Sequence, residues 1–278
     1  MATRGIRRGL IAIIVLAVVT AGVVTVWNLT RSHVSAAPGC LVTAPSSTAP
    51  GSVATFTFTP EQAGNAATIA GVGTRLGMPD HAVTVALATA LQESKLRNLP
   101  GGDRDSLGLF QQRPSQGWGT TQQILDPIYA ATAFYTSLAA RPNWQTLSVT
   151  EAAQQVQRSA APDAYAQWED TARAAAAALT GQSPAALSCH DLGASPPTAD
   201  LIDTANAELG TAVLSGAHPT ARGWAISSWL VAHATGLGID QVTFDGQTWT
   251  MASGTWSSAG TSNGILSLHR ATVPTSSG

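Results

Sequence analysis

Glu93 is the residue whose setting first suggests chemistry. It stands near the end of an apolar, helix-patterned run, "LATALQES" at 87–94. A polar, glycine-rich stretch, "KLRNLPGGDRDS" at 95–106, comes next, and then a short apolar segment leads into Gln111 and Gln112. A carboxylate at a helix C-terminus faces the negative end of the macrodipole, and partial burial disfavours an ionised carboxyl. A carboxylic acid kept protonated near neutral pH is what a glycosidase needs to protonate a departing glycosidic oxygen. The same residues also fit a solvated Glu93 paired with Lys95 or Arg97. Asp103 and Asp105 stand where a second carboxylate could activate water, or where a solvated turn with Arg104 would leave them exposed. Ser106, Gln111 and Gln112 offer polar groups for a sugar, and Trp118 and Tyr129 offer rings that could stack on one.

These residues need helices to position them. Thr59-Pro60-Glu61-Gln62 carries an N-cap, a Pro at N1 and a Gln at N3. Asp80 can cap the helix that bears Glu93, with Val83, Leu87, Ala90 and Leu91 at helical spacing. Asp126-Pro127 and Thr150 start two further helices. The run "DAYAQWEDTARAAAAALTG" reads as a last helix stopped by Gly181, a C′ glycine. Residues 59–181 therefore read as one helical domain. It lies between an Ala/Pro/Ser/Thr-rich linker at 28–58 and a Pro-containing linker at 182–197. Residues 198–278 mix helix with strand: a helix over 198–209, another over 223–238, a hairpin turning at Asp245-Gly246, and a strand in "GILSLHRATV".

Glu93-Ser94 closing a helix, with a polar loop and Gly108-Leu109-Phe110-Gln111 after it, resembles the lysozyme-like superfamily, in particular its soluble lytic transglycosylase and goose-type lysozyme group. The resemblance implies that Glu93 is the catalytic acid and base. It implies that Ser94, Gly108 and Gln111 belong to a glycan cleft, and that Tyr165, after the Ala-containing "AAQQVQRSAAPDAY", lies over that cleft. The implied substrate is the β-1,4 bond between N-acetylmuramic acid and N-acetylglucosamine in peptidoglycan, with no cofactor. Arg97-Asn98-Leu99 replaces the family's Asn-Pro, and the Tyr-Asn pair after the Ala-rich helix is missing.

The flanks bear on location. Residues 9–27 form an uncharged apolar run of nineteen residues, about 28 Å long as a helix. Arg4, Arg7 and Arg8 precede it, which makes residues 1–8 a basic cytoplasmic tail under the positive-inside rule. The run reads as a transmembrane helix, or as a cleaved signal segment with "SAA" at 35–37. Both readings export the rest of the chain, and Cys40 and Cys189 then make one disulfide. The chain of 278 residues carries 14 basic and 16 acidic groups, for a net charge of −2. No basic stripe lies outside the N-terminus, which argues against a nucleic-acid partner.

Residues 198–278, through "RGWAISSWLVAHATGLGIDQVTFDGQTWT", resemble at a distance the zinc D-Ala-D-Ala peptidases. Active members of such families place a His and an Asp seven residues apart before this helix and a His-x-His on the last strand. Here His218 has Ala225 seven positions after it, and the last strand holds His269 alone, with His233 in the helix. That set does not complete a zinc site, so a degenerate, metal-free domain is expected. The fold class expected is an N-terminal transmembrane helix, a mainly-α lysozyme-like domain and a small C-terminal α/β domain. The function expected is cleavage of peptidoglycan glycan strands at the membrane. The alternative is a non-catalytic cell-wall binding or scaffolding protein that retains a lysozyme-like fold.

Overall fold

The computed structural model describes residues 37–271, and its first element lies in the stretch expected to be a linker. Strand β1 (Gly39–Pro45) pairs antiparallel with β2 (Val53–Phe58). In "VATFTF" the exposed Val53, Thr55 and Thr57 alternate with the inward Ala54, Phe56 and Phe58. That is the period of a half-buried strand, and the Ala/Pro/Ser/Thr composition obscured it.

Helix α1 (Pro60–Arg75) starts at the expected Thr59–Gln62 capping box. Helix α2 (Asp80–Ser94) has Pro79 as its N-cap, so Asp80 is its first residue and not its cap. Every residue of α2 from Ala82 to Leu91 is buried, because α1 and three later helices surround it. These are α4 (Pro127–Ala139), α5 (Val149–Gln157) and α6 (Glu169–Leu179), with the short α3 (Thr121–Ile124) before them. Asp126 caps α4 as expected, accepting from the Ile128 amide at 2.9 Å. Ser148, not Thr150, caps α5 in a box with Glu151. The run 163–181 is not one helix: Pro162–Trp168 is a 3-10 segment, and α6 comes after it.

Strand β3 (Leu187–His190) returns to β1, giving a sheet of order β2-β1-β3. Cys40 pairs directly with Cys189 across this ladder, and the two form a disulfide spanning 149 residues. In the chain-entropy account a loop of that length stabilises by up to ~5 kcal/mol. Replacing both cysteines by serine is expected to lower the denaturant midpoint by a corresponding amount. An unchanged midpoint in a guanidinium titration would contradict this.

Helices α7 (Leu201–Leu209), α8 (Thr220–Ala232) and α9 (Ala234–Leu237) complete the helices of the described residues. A second antiparallel sheet has the order β4-β8-β5-β6-β7. Its strands are β4 (Gly216–Ala217), β5 (Ile239–Phe244), β6 (Gln247–Thr250), β7 (Trp256–Ser258) and β8 (Ile265–Arg270). Asp245 and Gly246, with φ of 51° and 77°, make the β5–β6 turn expected of this pair.

Two findings correct the expected fold class. The expected mainly-α domain is not helix alone: β1 and β2, from the first expected linker, and β3, from the second, form a sheet that packs against its helices. The C-terminal part shares the helices' core: α8 packs on α1 and α6 as well as on β5, and α7 packs on α1. Gly181 (φ 79°) lets the end of α6 approach α8 closely, since a Cβ there would fall 1.9 Å from the Ala221 carbonyl oxygen. No helix among the described residues is long and apolar enough to cross a membrane. The run at 9–27 lies outside the described residues.

Candidate active site

Helix α2 ends immediately after Glu93-Ser94 for a local reason. Lys95 and Leu96 both take left-handed backbone conformations, φ 57° and 58°, which L-residues adopt at a cost. Two side chains of α1 hold the turn: Gln62 Nε2 donates to the Lys95 carbonyl and Asn65 Nδ2 to that of Leu96, each at 2.8 Å. The fully buried Leu96 side chain offsets part of the strain by leaving water.

Ser94 Oγ donates to the Leu109 carbonyl at 2.7 Å and to that of Ala90 at 3.1 Å. It is buried, and it ties the helix end to the loop after it. That loop closes on itself through reciprocal Leu107 and Gln112 backbone bonds of 2.9 and 3.0 Å. Gly108, at φ 73°, is required there: a Cβ would sit 2.6 Å from the Ile124 carbonyl oxygen. Leu109 and Phe110 are fully buried, Phe110 stacking on Phe134 at 4.7 Å, so these apolar residues hold the loop from beneath. Gln157 Nε2 of α5 fixes the Phe110 carbonyl at 2.8 Å.

The half-buried Glu93 meets the buried Tyr165, whose Oη donates to Glu93 Oε1 at 2.9 Å. The whole 3-10 segment Pro162–Trp168 lies against the end of α2. Trp168 Nε1 and Gln167 Nε2 donate to Gln92 Oε1 at 2.8 and 3.2 Å, and Lys95 Nζ lies 4.1 Å over the Trp168 ring. Partial burial pulls the Lys95 pKa down, against the opposing pull of Glu93. Neither Lys95 nor Arg97 forms an ion pair with Glu93 among the described residues.

Burial, then the charge and hydrogen bond of Glu93, push the Tyr165 phenol well above the usual range. Tyr165 therefore remains a donor throughout the range in which the protein would work. Tyr165→Phe is expected to lower any Glu93-dependent activity about tenfold, the value of a hydrogen bond to a charged group. Spectrophotometric titration of the wild type should show Tyr135, raised by complete burial, and Tyr165 ionising late. Unchanged rates in the variant, or early ionisation of both phenols, would contradict the contact.

The two aspartates behave differently from Glu93. Asp105 Oδ1 accepts from Arg113 Nε at 2.6 Å and Ser115 Oγ at 3.0 Å, and Oδ2 accepts from the Ser115 amide at 2.8 Å. The backbone bond from Ser115, then Arg113 and the Ser115 hydroxyl, hold its carboxyl far below the usual range. Asp103 is exposed beside Arg104 at 4.0 Å. Ser106 is buried, its amide bonded to the Asp103 carbonyl at 3.1 Å.

Gln111, Gln112, Trp118 and Tyr129 come together on a cleft of about 850 Å³. Tyr129 Oη donates to the Trp118 carbonyl at 3.2 Å. Glu93, Ser94, Ser106, Gly108 and Tyr165 do not line this cleft. The loop from Leu107 to Gln112 connects the two places, bonded to Ser94 on one side and presenting Gln111 on the other. Sequence reasoning missed Gln92, Trp168, Arg141, Arg158 and Gln157. Trp168 stands three residues after Tyr165, a spacing that could have signalled a shared face.

In the C-terminal part, His233 bonds Glu208 and His269 bonds Asp240, while His218 Nε2 is buried without a partner. Among the described residues no group of three His, Cys, Asp or Glu side chains could hold a metal ion. No protein-family model and no curated protein matches this chain.

Proposed function

We propose that this protein is exported and cleaves peptidoglycan glycan strands, with Glu93 as the general acid and then the base. One observation carries the reading: a half-buried carboxylate at the end of a buried helix, held on one oxygen by Tyr165 at 2.9 Å and leaving the other for a substrate. The resemblance of Glu93-Ser94 and Gly108–Gln111 to the lytic transglycosylase group supplies the substrate class. The Cys40–Cys189 disulfide supports export into an oxidising compartment.

Glu93 donates its proton to the glycosidic oxygen as the bond to the muramyl C1 breaks. The N-acetyl carbonyl oxygen of the same sugar attacks C1 and takes the place of a second carboxylate. The Glu93 carboxylate then accepts the proton of the C6 hydroxyl, whose oxygen closes on C1 as the bond from C1 to the N-acetyl oxygen breaks, leaving the acetamido group on the sugar. No water is consumed, and the product is a 1,6-anhydro sugar. The engagement of both Asp105 oxygens by Arg113 and Ser115 favours this route over water activation by that residue.

The separate cleft lined by Trp118 and Tyr129 favours a second reading, retention on the cell wall without cleavage. Incubating the chain and its Glu93→Gln variant with insoluble peptidoglycan separates the two. Soluble fragments from the wild type only support the enzyme. Binding of both to the pellet with no release would support the scaffold.

A further inference from the structure

The cleft beside the candidate site has an unusual charge. Three arginines line it, Arg113, Arg141 and Arg158, and no aspartate or glutamate does. Arg113 is neutralised by Asp105 at 2.6 Å. Arg141 Nη2 donates only to the Ser137 hydroxyl at 3.0 Å, and its Nε is buried with no acceptor. Arg158 is exposed, and neither it nor Arg141 has an ion-pair partner among the described residues.

Composition does not account for this, because residues 40–190 hold more acidic than basic groups, ten against eight. Helix dipoles explain part of the placement. Arg158 is the C-cap of α5, and Arg141 comes directly after Ala140, the C-cap of α4; cations are favourable at such ends. The dipole does not require both helix ends to open on one cleft, nor does it supply an acceptor for a buried guanidinium N–H. A planar oxyanion in the cleft gives two unpaired arginines on one wall a common partner, because a guanidinium presents paired donors that match a carboxylate.

We propose that this cleft binds a carboxylate-bearing ligand through Arg141 and Arg158. The Trp118 and Tyr129 side chains and the amides of Gln111 and Gln157 suit a sugar-linked acid better than a bare ion. The peptide stem of a glycan strand, with its free carboxylates, has that chemistry. Naming the stem rests on the function proposed above, whereas the recognition of an acid does not.

The test is calorimetric binding of the full chain to a disaccharide carrying a peptide stem, in two forms: stem carboxylates free, or all converted to amides. The free acid should bind at least tenfold more tightly, and added salt should weaken the acid and not the amide. An Arg141→Gln/Arg158→Gln double variant should bind both forms alike. Equal affinities in the wild type, or a preference that survives in the folded double variant, would overturn the proposal. Should the double variant not fold, Arg158→Gln alone, at an exposed position, must still reduce the preference. The Glu93→Gln variant keeps the preference in every case. Cleavage unaffected by that variant would therefore defeat the proposed function while leaving the acid site standing.

Discussion

Replacing Glu208 by alanine is expected to remove about 3–5 kcal/mol of folding free energy, the usual cost of breaking a buried, bonded charge pair. That is a large share of the ~5–15 kcal/mol that holds a typical domain together. Glu208 is only 5% exposed, yet it is fully engaged. Thr68 Oγ1 of α1 donates to Oε1 at 2.9 Å, and Trp229 Nε1 of α8 donates to Oε2 at 2.7 Å. His233, facing the same Oε2 from Nε2 at 3.2 Å, is the third partner. The carboxylate thus joins three helices, α1, α7 and α8, across the seam between the helical half and the C-terminal half. Alanine would leave the Trp229 indole and the His233 ring without their acceptor and the Thr68 hydroxyl with only the Gly64 carbonyl at 3.2 Å, each in or near the core. Thermal or denaturant unfolding of the variant checks the size of the loss. A loss below about 1 kcal/mol would show that the seam does not depend on this network.

The same residue sets a pH dependence. Burial works against ionisation of Glu208, but the His233 charge and the three hydrogen bonds outweigh it and hold the carboxyl below its usual range. A carboxyl depressed in the folded state contributes stability that is present above its unfolded pKa, about 4.3 for Glu. The contribution is lost as pH falls through the lower folded value. Unfolding free energy should therefore decline below about pH 4, and Glu208→Gln should flatten that decline.

Glu93→Gln is expected to reduce glycan cleavage by about 10³-fold or more, within the range for loss of a general acid-base group. The amide is close in shape, so the Tyr165 hydroxyl can still donate to its oxygen, and stability should change little. The glutamine variant removes the transferable proton, whereas Tyr165→Phe removes only a donor that holds the carboxylate. If the structure around Glu93 acted merely as a helix cap, both substitutions would alter stability and neither would alter cleavage. Kinetics on soluble glycan fragments, beside melting curves of the same samples, separate the two cases.

Much of the helical frame was legible in the residues. The Thr59–Gln62 box, the Asp126 cap and the Asp245-Gly246 turn each depend on neighbours a few positions away, and each stands where those neighbours put it. The strands β1 and β2 were not: their local hairpin was masked by its Ala/Pro/Ser/Thr composition, and the other partner of β1 is the distant β3, met at the Cys40–Cys189 register, a separation of 149 residues. Local composition carries no record of that pairing. The end of α2 was legible as an event but not as a mechanism, since it depends on Gln62 and Asn65 reaching from another helix. Tyr165 could be singled out only by resemblance; its bond to Glu93 spans 72 positions and depends on a 3-10 segment where continuous helix was expected. Asp105 looked available for chemistry because its partners, Arg113 and Ser115, sit across a turn whose shape the sequence does not state. The arginine-lined cleft was hidden for the same reason: Arg141 and Arg158 look like ordinary helix-end cations until two helices bring them together.

Whether Glu93 cleaves glycan strands is asked most plainly by mass spectrometry of the fragments released from purified peptidoglycan. The wild-type chain and the Glu93→Gln variant would be incubated under the same oxidising conditions, so that the disulfide is intact. Soluble muropeptides are expected from the wild type, one water lighter than hydrolytic fragments, and none from the variant. Equal release by both chains would contradict a catalytic Glu93, as would release by neither when both are folded and bound to the pellet.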